Sequence, residues 1–148
     1  MIFKTSDSIM VNSSIEKVST IIKNISNWPE IFPPCKKIEI LQQNDKYTKF
    51  YLTAVSRGIT NRWLSEQVIL EHDKLIKFRQ IESSWPLSFM QGEWELQKFK
   101  DQTLITMNHR FGIKGTILFQ YVIGIIIKKF FVDKNTRLEL QAIANFFQ

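Results

Sequence analysis

Cysteine, histidine, glycine and proline are all scarce in this chain of 148 residues, which has one Cys, two His, five Gly and four Pro. The single cysteine, Cys35, excludes an internal disulfide and fits a reducing compartment. No two His, Cys, Asp or Glu residues have metal-ligand spacing, and no glycine-rich phosphate loop is present. We therefore expect no metal, no nucleotide and no other cofactor.

Acidic residues are outnumbered by basic ones, 14 to 20, which gives a net charge of +6 and a pI near 9.5. This excess favours an acidic partner, and nucleic acid, an anionic membrane or an acidic carrier protein would all qualify. No basic run is longer than two residues, however, and no nucleic-acid-binding motif is present. A solvated, lysine-rich surface is the simpler interpretation, and we expect no nucleic-acid partner.

No hydrophobic run reaches the roughly 20 residues that a membrane span needs. Residues 117–131 come closest, but they include Gln120, Lys128 and Lys129. We predict that this stretch is buried against a sheet, with a surface that opens onto a pocket or touches a membrane as the alternative. Residues 1–10 are too polar for the core of an export signal, so we expect a cytoplasmic protein.

Aromatic residues, in contrast, are abundant at 13%, including 12 Phe and 4 Trp. Residues 132–147 predict an amphipathic helix, because Leu140, Ile143, Ala144 and Phe147 repeat at the helical period. Its apolar face needs a partner, and the alternating segments between residues 36 and 113 predict a curved sheet that grips it. Such an arrangement leaves a cavity between sheet and helix, where we place the function.

The remaining elements follow from local patterns. Ser14 is predicted to cap a first helix, and Trp28 with Pro29 opens a short second one. Seven antiparallel strands are predicted at residues 3–11, 36–41, 47–55, 59–70 (with a possible bulge), 75–82, 87–97 and 103–111. A continuous helix over 115–147 would be about 50 Å long. We therefore predict a break at Gly124 or within 128–133, with Asp133 capping the second piece.

This order of elements and several short blocks resemble the bacterial polyketide aromatase/cyclases of the START/Bet v 1-like (SRPBCC) superfamily. The matching blocks are Asp-Ser-Ile-Met-Val-Asn at 7–12, Asn-Trp-Pro-Glu-Ile-Phe at 27–32, Ile-Glu-Ile-Leu at 38–41, Trp-Leu-Ser at 63–65, Phe-Met at 89–90, and Trp94. The resemblance implies an α+β helix-grip fold over residues 1–148 as a single domain. It also implies an enzyme that binds a poly-β-ketone delivered by an acyl carrier protein and directs aldol cyclisation and dehydration.

A non-catalytic lipid or quinone carrier remains an alternative. The quinone-binding branch of the same superfamily also resembles the chain at Phe-Pro-Pro-Cys, residues 32–35, and in the apolar region before the last helix. Either function implies a small hydrophobic or aromatic ligand.

Strand alternation predicts which side chains face the cavity. Placing Trp63 inward also places Asn61, Ser65 and Gln67 inward, and on the last strand Met107, His109 and Phe111 share a face. The same argument, together with the second helix at the mouth, gives the predicted substrate-binding set: Trp28, Phe32, Cys35, Phe50, Trp63, Phe78, Gln80, Met90, Trp94 and Met107.

The chain departs from the family at three polar positions. Gln67 and Gln80 occupy positions where the resemblance implies arginines, and Cys35 occupies that of a tyrosine. Glutamine can hydrogen-bond a carbonyl but cannot deliver a proton. His109 is therefore the predicted acid or base, alongside Ser65 and Gln67, with a hydrogen-bonded core histidine as the alternative.

The other reactive side chains are assigned no role. His72 falls in a polar turn, and Cys35 has no base near it in sequence that would make it a nucleophile. The outward parity of three carboxylates predicts that they lie on the surface: Glu66, Glu93 and Glu95.

Overall fold

A computed structural model describes residues 1–148 and contains one seven-stranded antiparallel sheet. The strands are β1 (Phe3–Val11), β2 (Cys35–Gln43), β3 (Tyr47–Ser56), β4 (Ile59–Leu70), β5 (Leu75–Glu82), β6 (Leu87–Phe99) and β7 (Gln102–Ile113). Their order across the sheet is β1-β7-β6-β5-β4-β3-β2, so β2 to β7 form a meander and β1 pairs with the last strand. The predicted number, direction and succession of strands are confirmed. The possible bulge in β4 is not: the irregularity opposite Leu64 and Ser65 comes from an extra residue in β5, Ile81, between Gln80 and Glu82.

Two short helices close one end of the sheet. In α1 (Ile15–Lys23), the Ser14 hydroxyl accepts a hydrogen bond from the Lys17 amide at 3.3 Å, which confirms the predicted cap. Val18 and Ile22 of α1 are fully buried, because their spacing places both on the face that meets the sheet. A 3₁₀ turn, Ile25–Asn27, leads into α2 (Trp28–Ile31), where Pro29 lies in the first turn.

The C-terminal helix α4 (Asp133–Phe146) lies inside the curved sheet, with Leu140 and Ile143 fully buried. Polar contacts hold it on both sides. Arg137 donates from Nε to the Asp7 carboxylate of β1 at 2.9 Å, whereas Ser56 of β3 donates to the Asn135 side chain at 3.3 Å. The helix is thus gripped as predicted, near the first strand on one side and near the β3 end of the sheet on the other.

The predicted break before α4 is wrong. Helix α3 (Ile117–Ile127) continues into α4 through a π-helical segment, Lys128–Val132, in which the Asp133 amide donates to the Lys128 carbonyl. Asp133 makes no side-chain cap, and Gly124 lies inside α3 against the Phe3 ring, where a Cβ would collide with that ring. The π-helical segment therefore lies in one of the two regions where a break was expected, but the helix continues through it.

A helix of this length is accommodated because part of it is not covered by the rest of the protein. From Ile117 to Phe146 the helix is about 45 Å long, but only the inner side of α3 meets the protein. Phe119, Ile123 and Ile127 pack against a small cluster centred on Phe111 and Ile113. The opposite side is exposed, so the prediction that residues 117–131 are buried holds for one face only. None of the helices is both long enough and apolar enough to cross a membrane.

The Asp7–Arg137 pair gives a direct test of the grip. The Arg137 guanidinium holds the pKa of Asp7 below its ordinary value through its hydrogen bonds. Because both side chains are more than a third exposed, we expect Asp7→Asn to lower the free energy of unfolding by about 1 kcal/mol at pH 7. A lowered pKa in the folded state means that this contribution is complete above the ordinary pKa of Asp and is lost as the pH falls through the folded value.

Urea unfolding at pH 7 and at steps below pH 4 measures the difference in the free energy of unfolding between the parent protein and Asp7→Asn. Asp45→Asn is the matched control, since Asp45 is exposed in the β2–β3 turn and forms no ion pair. A difference that stays constant to the lowest pH at which the protein folds would contradict an ionic contribution.

Candidate functional site

The inner face of the sheet carries two separate apolar clusters. The larger contains Met107, Trp94 and Ile76 together with Leu140 and Ile143 of α4. The smaller contains Phe111 and Ile113 with Val132 of the π-helical segment. His109 lies on β7 between Met107 and Phe111, so the gap between the clusters falls at its level.

At the level of this gap His109 and Phe78 are only half-buried, whereas Thr5 and Gln67, at the two ends of a row of inward side chains, are buried. Strand register aligns Thr5, His109, Gly92, Phe78 and Gln67 in one row across β1, β7, β6, β5 and β4. The missing side chain of Gly92 is essential to this row, because a Cβ there would overlap the Phe78 ring. The ring instead lies edge-on to the His109 imidazole, with centroids 5.4 Å apart.

Four buried polar atoms on this inner face have no hydrogen-bond partner within the protein. They are Thr5 Oγ1, Gln67 Oε1, Gln80 Oε1 and Trp94 Nε1. Buried polar atoms are normally satisfied, and an unpaired one is costly. Their concentration on one face leaves unused hydrogen-bonding capacity between the sheet and α4.

His109 is held by the C-terminal helix. Its Nδ1 lies 3.4 Å from Thr136 Oγ1, and Thr136 Oγ1 donates its one proton to the Val132 carbonyl at 2.7 Å. The threonine oxygen is therefore left to accept from His109, which places the imidazole proton on Nδ1 and a lone pair on Nε2. Burial lowers the pKa of His109 to about 4, so at neutral pH the ring is uncharged and Nε2 is a proton acceptor.

Glu139 is the functional candidate that the sequence analysis missed. It lies one turn beyond Thr136 on α4, is half-buried, and forms neither a hydrogen bond nor an ion pair with another side chain. Burial raises the pKa of Glu139 to about 8, so at neutral pH it is mainly a protonated donor. The sequence places position 139 three residues after Thr136 and four before Ile143, but this spacing does not distinguish a buried carboxyl from a solvated one.

Cys35 does not act as a nucleophile in this environment. Burial, with a smaller contribution from the neighbouring Glu139 carboxyl, raises the pKa of the Cys35 thiol to about 12. Since the thiolate is the reactive form, the side chain is an inert thiol at neutral pH.

The predicted substrate-binding residues fall into two groups. Trp63, Phe78, Gln80 and Met90 are half-buried on the inner face, together with His109. Ser65 and Gln67 are buried on the same face of β4. The structure therefore brings the three predicted catalytic residues to one side of the sheet.

The second group is packed core. Trp28, Phe32 and Cys35 are each less than a tenth exposed, so they do not cover an open mouth as we expected. Instead the Trp28 ring meets those of Phe32 and Phe50 edge-on, and Phe32 stacks on Trp94. These side chains, with Met107, close the far end of the sheet–helix space.

Two surface grooves lie outside this space. One, of about 400 Å³, is on the outer face of the sheet among Lys77, Arg79 and Glu93. The other, of about 980 Å³, lies between α1 and the end of α4, near Ile21 and Phe147. Neither groove is lined by His109 or Glu139. No group of three His, Cys, Asp or Glu side chains is placed to hold a metal ion.

The sheet, the gripped helix and the polar inner face together define a helix-grip, START/Bet v 1-like protein. Residues 11–141 match the family described as "Polyketide cyclase / dehydrase and lipid transport", and the chain belongs to this family.

One curated relative is similar over almost the whole chain. The granaticin polyketide synthase bifunctional cyclase/dehydratase of Streptomyces violaceoruber is 24% identical over 144 residues, which cover 97% of this chain but 43% of that protein. The chain thus spans less than half the length of this relative.

Solved structures agree in fold. The Zhui aromatase/cyclase of Streptomyces sp. R1128 superposes with a TM-score of 0.86 at 19% identity, covering 99% of this chain and 93% of that one. The di-domain aromatase/cyclase StfQ of the steffimycin pathway has the same TM-score at 17% identity, and the match covers 99% of this chain and 51% of StfQ.

The raised pKa of Glu139 predicts how the stability of the protein depends on pH. The pKa of Glu139 is raised from 4.5 to about 8 in the folded state, so between those values the folded chain holds a proton that the unfolded chain releases. Stability should therefore fall as the pH rises through this window. We expect Glu139→Gln to remove that fall. The free energy of unfolding of the variant should therefore rise relative to that of the parent protein from pH 5 to pH 8.

Urea unfolding midpoints of both proteins at pH 5, 6.5 and 8 measure this difference. His109 titrates in both, so its opposite contribution cancels in the comparison. Glu82→Gln, at an exposed carboxylate, should follow the parent protein at every pH. A constant offset between Glu139→Gln and the parent would show that Glu139 has an ordinary pKa.

Proposed function

We propose that this protein is a polyketide cyclase that binds a poly-β-ketone chain between sheet and helix and directs its aldol cyclisation and dehydration. One arrangement carries the proposal: His109 contacts Thr136 of α4, and Glu139 lies one turn further along the same helix without an ionic partner. Desolvation there favours an uncharged proton acceptor at His109 and an uncharged proton donor at Glu139. The names of the relatives support the same activity.

The reaction needs only these two groups, and its protons balance. A carbon between two carbonyls is already acidic, so His109 Nε2 can remove its proton while Glu139 protonates the oxygen of the attacked carbonyl as the new C–C bond forms. The second step is loss of water: the Glu139 carboxylate removes the next proton from carbon, and the His109 imidazolium protonates the departing hydroxyl. Both groups return to their starting states.

The remaining polar side chains would set the position of the chain. Gln67 Nε2 donates to the Ile22 carbonyl at 3.4 Å, which leaves its Oε1 free to accept from an enol hydroxyl. Gln80 Oε1 is free in the same way. Neither amide can transfer a proton, so we assign both to orientation, with Trp63 and Phe78 as flat walls on either side.

An acyl carrier protein is the partner that this proposal implies. A polyketide of this kind is carried as a thioester, and the net charge of +6 favours an acidic partner. A non-catalytic lipid or quinone carrier is the alternative, and the family description allows lipid transport. A carrier function would leave the His109–Glu139 pair without a role.

The test is the product profile of a reconstituted minimal polyketide synthase with and without this protein, followed by mass spectrometry and absorbance. We expect mixed spontaneous products to be replaced by one regiospecific ring. His109→Ala should lower turnover about 10²-fold, the usual range for loss of a general acid or base. Glu139→Gln should have a comparable effect.

His72→Asn and Glu82→Gln are matched controls at exposed positions and should leave the profile unchanged. Asn tolerates the left-handed backbone of His72, where φ is 53°. An unchanged profile across several chain lengths, with the protein folded and a lipid or quinone extractable from it, would support the carrier instead.

A further inference from the structure

The outer side of α3 is an apolar surface that nothing in the structure covers. Its large side chains are 39–75% exposed. We call the following set the α3 outer face: Ile117, Leu118, Tyr121, Val122, Ile125, Ile126 and Phe130. They recur at helical spacing opposite the partly buried positions Phe119, Ile123 and Ile127. Isolated apolar side chains are ordinary on a protein surface, but a contiguous set of this size marks a binding surface.

Trp85 extends this surface from the loop between β5 and β6. Its side chain is 71% exposed, and its ring centroid lies 6.1 Å from that of Phe119. Tryptophan has an apolar body and one polar N–H, which suits it to a boundary between apolar and aqueous phases.

The charged side chains that contact the α3 outer face are basic. Arg57 places its guanidinium 4.9 Å from the centre of the Phe130 ring and donates to the Phe130 carbonyl at 3.1 Å, and Lys129 lies 5.4 Å from the same ring. Lys114 is exposed just before the helix. No Asp or Glu occurs between Asp101 and Asp133. The surface therefore combines large apolar side chains with neighbouring lysines and an arginine, and residues 102–132 contain no acidic side chain.

We propose that the α3 outer face, together with Trp85, binds the surface of an anionic lipid bilayer, with α3 lying in the plane of the interface. Apolar side chains insert at the boundary between head groups and acyl chains, while flanking lysines and arginines pair with anionic head groups. A second copy of the chain fits this surface less well, because a two-fold contact would bring basic flanks together without acidic partners.

Such binding would also fix the orientation of the functional site. Phe119, Ile123 and Ile127 on the inner side of α3 pack against the same small cluster as Met90, which borders the gap that holds His109. A protein bound through α3 would therefore hold this gap within a helix diameter of the bilayer surface, about 10 Å.

Vesicle flotation tests the proposal. The probes are vesicles of phosphatidylcholine alone and of phosphatidylcholine with 30% phosphatidylglycerol, a proportion chosen to give roughly the anionic surface of a cytoplasmic leaflet. We expect binding to the anionic vesicles at least about tenfold tighter than to the neutral ones. Leu118→Glu, at a side chain 73% exposed, should weaken binding more than tenfold without unfolding the chain. Lys114→Gln with Lys129→Gln should weaken it by about fivefold per lysine.

Two matched controls lie on β2. Leu41→Glu introduces the same charge at an apolar side chain 55% exposed, and Lys36→Gln with Lys37→Gln removes the same number of lysines. Both should bind vesicles as the parent protein does. The proposal is overturned if the parent protein floats with neither vesicle, or if Leu118→Glu binds as tightly as Leu41→Glu. Self-association in sedimentation velocity that Leu118→Glu abolishes, without vesicle binding, would assign the surface to a second copy.

Vesicle binding is measured without substrate, so its result is independent of the cyclase proposal. A folded protein that cyclises polyketides but does not float would overturn the membrane surface alone.

Discussion

The burial of one face of α4 against the concave side of the sheet is the contact on which the rest of the structure depends. Leu140 and Ile143 are fully buried there, and without them the larger cluster would lose its centre. Polar contacts at Arg137 and Asn135 then fix how the helix is rotated. That rotation decides which α4 side chains meet the interior, and therefore places Thr136 beside His109.

Desolvation is what makes the interior chemically distinctive. An acid and a base that are both removed from water are each driven toward the uncharged form, which raises the pKa of Glu139 and lowers that of His109. At neutral pH Glu139 is therefore a proton donor and His109 a proton acceptor, and neither is held in an ion pair. The arrangement reduces stability, because a buried carboxyl without a partner opposes folding as the pH rises. Enzymes commonly hold perturbed groups of this kind where they act on substrate.

Much of the fold could be predicted because its determinants are local. Alternation located all seven strands and correctly put Met107 and Phe111 on the inner face, and the helical period identified Leu140 and Ile143. The resemblance to aromatase/cyclases agrees with the family match and with the fold of the solved structures. The strands and helices needed only the period of each segment, whereas the resemblance also needed the short matching blocks.

What could not be predicted depends on relations between distant segments. Gly92 accommodates the Phe78 ring only because β5 pairs with β6 in one particular register. The packing of Trp28, Phe32 and Cys35 into the core, rather than around a mouth, depends on how α2 meets β3 and β6. Glu139 was missed for a different reason: a charged residue beside an apolar stripe is ordinarily a solvated one, and only its surroundings show otherwise.

The π-helical segment sets the relative rotation of the two halves of the long C-terminal helix. Each residue of an α-helix turns the chain by about 100°, and a π-helical turn accommodates an additional residue without interrupting the helix. Lys128–Val132 therefore lets the Gly124 side of α3 and the Thr136 side of α4 both meet the sheet. A chain shortened by one residue here would turn one half against the other, so that Gly124 could no longer lie beneath Phe3 while Thr136 stayed beside His109. Two contacts on different halves of the helix are thus linked by the length of a five-residue segment.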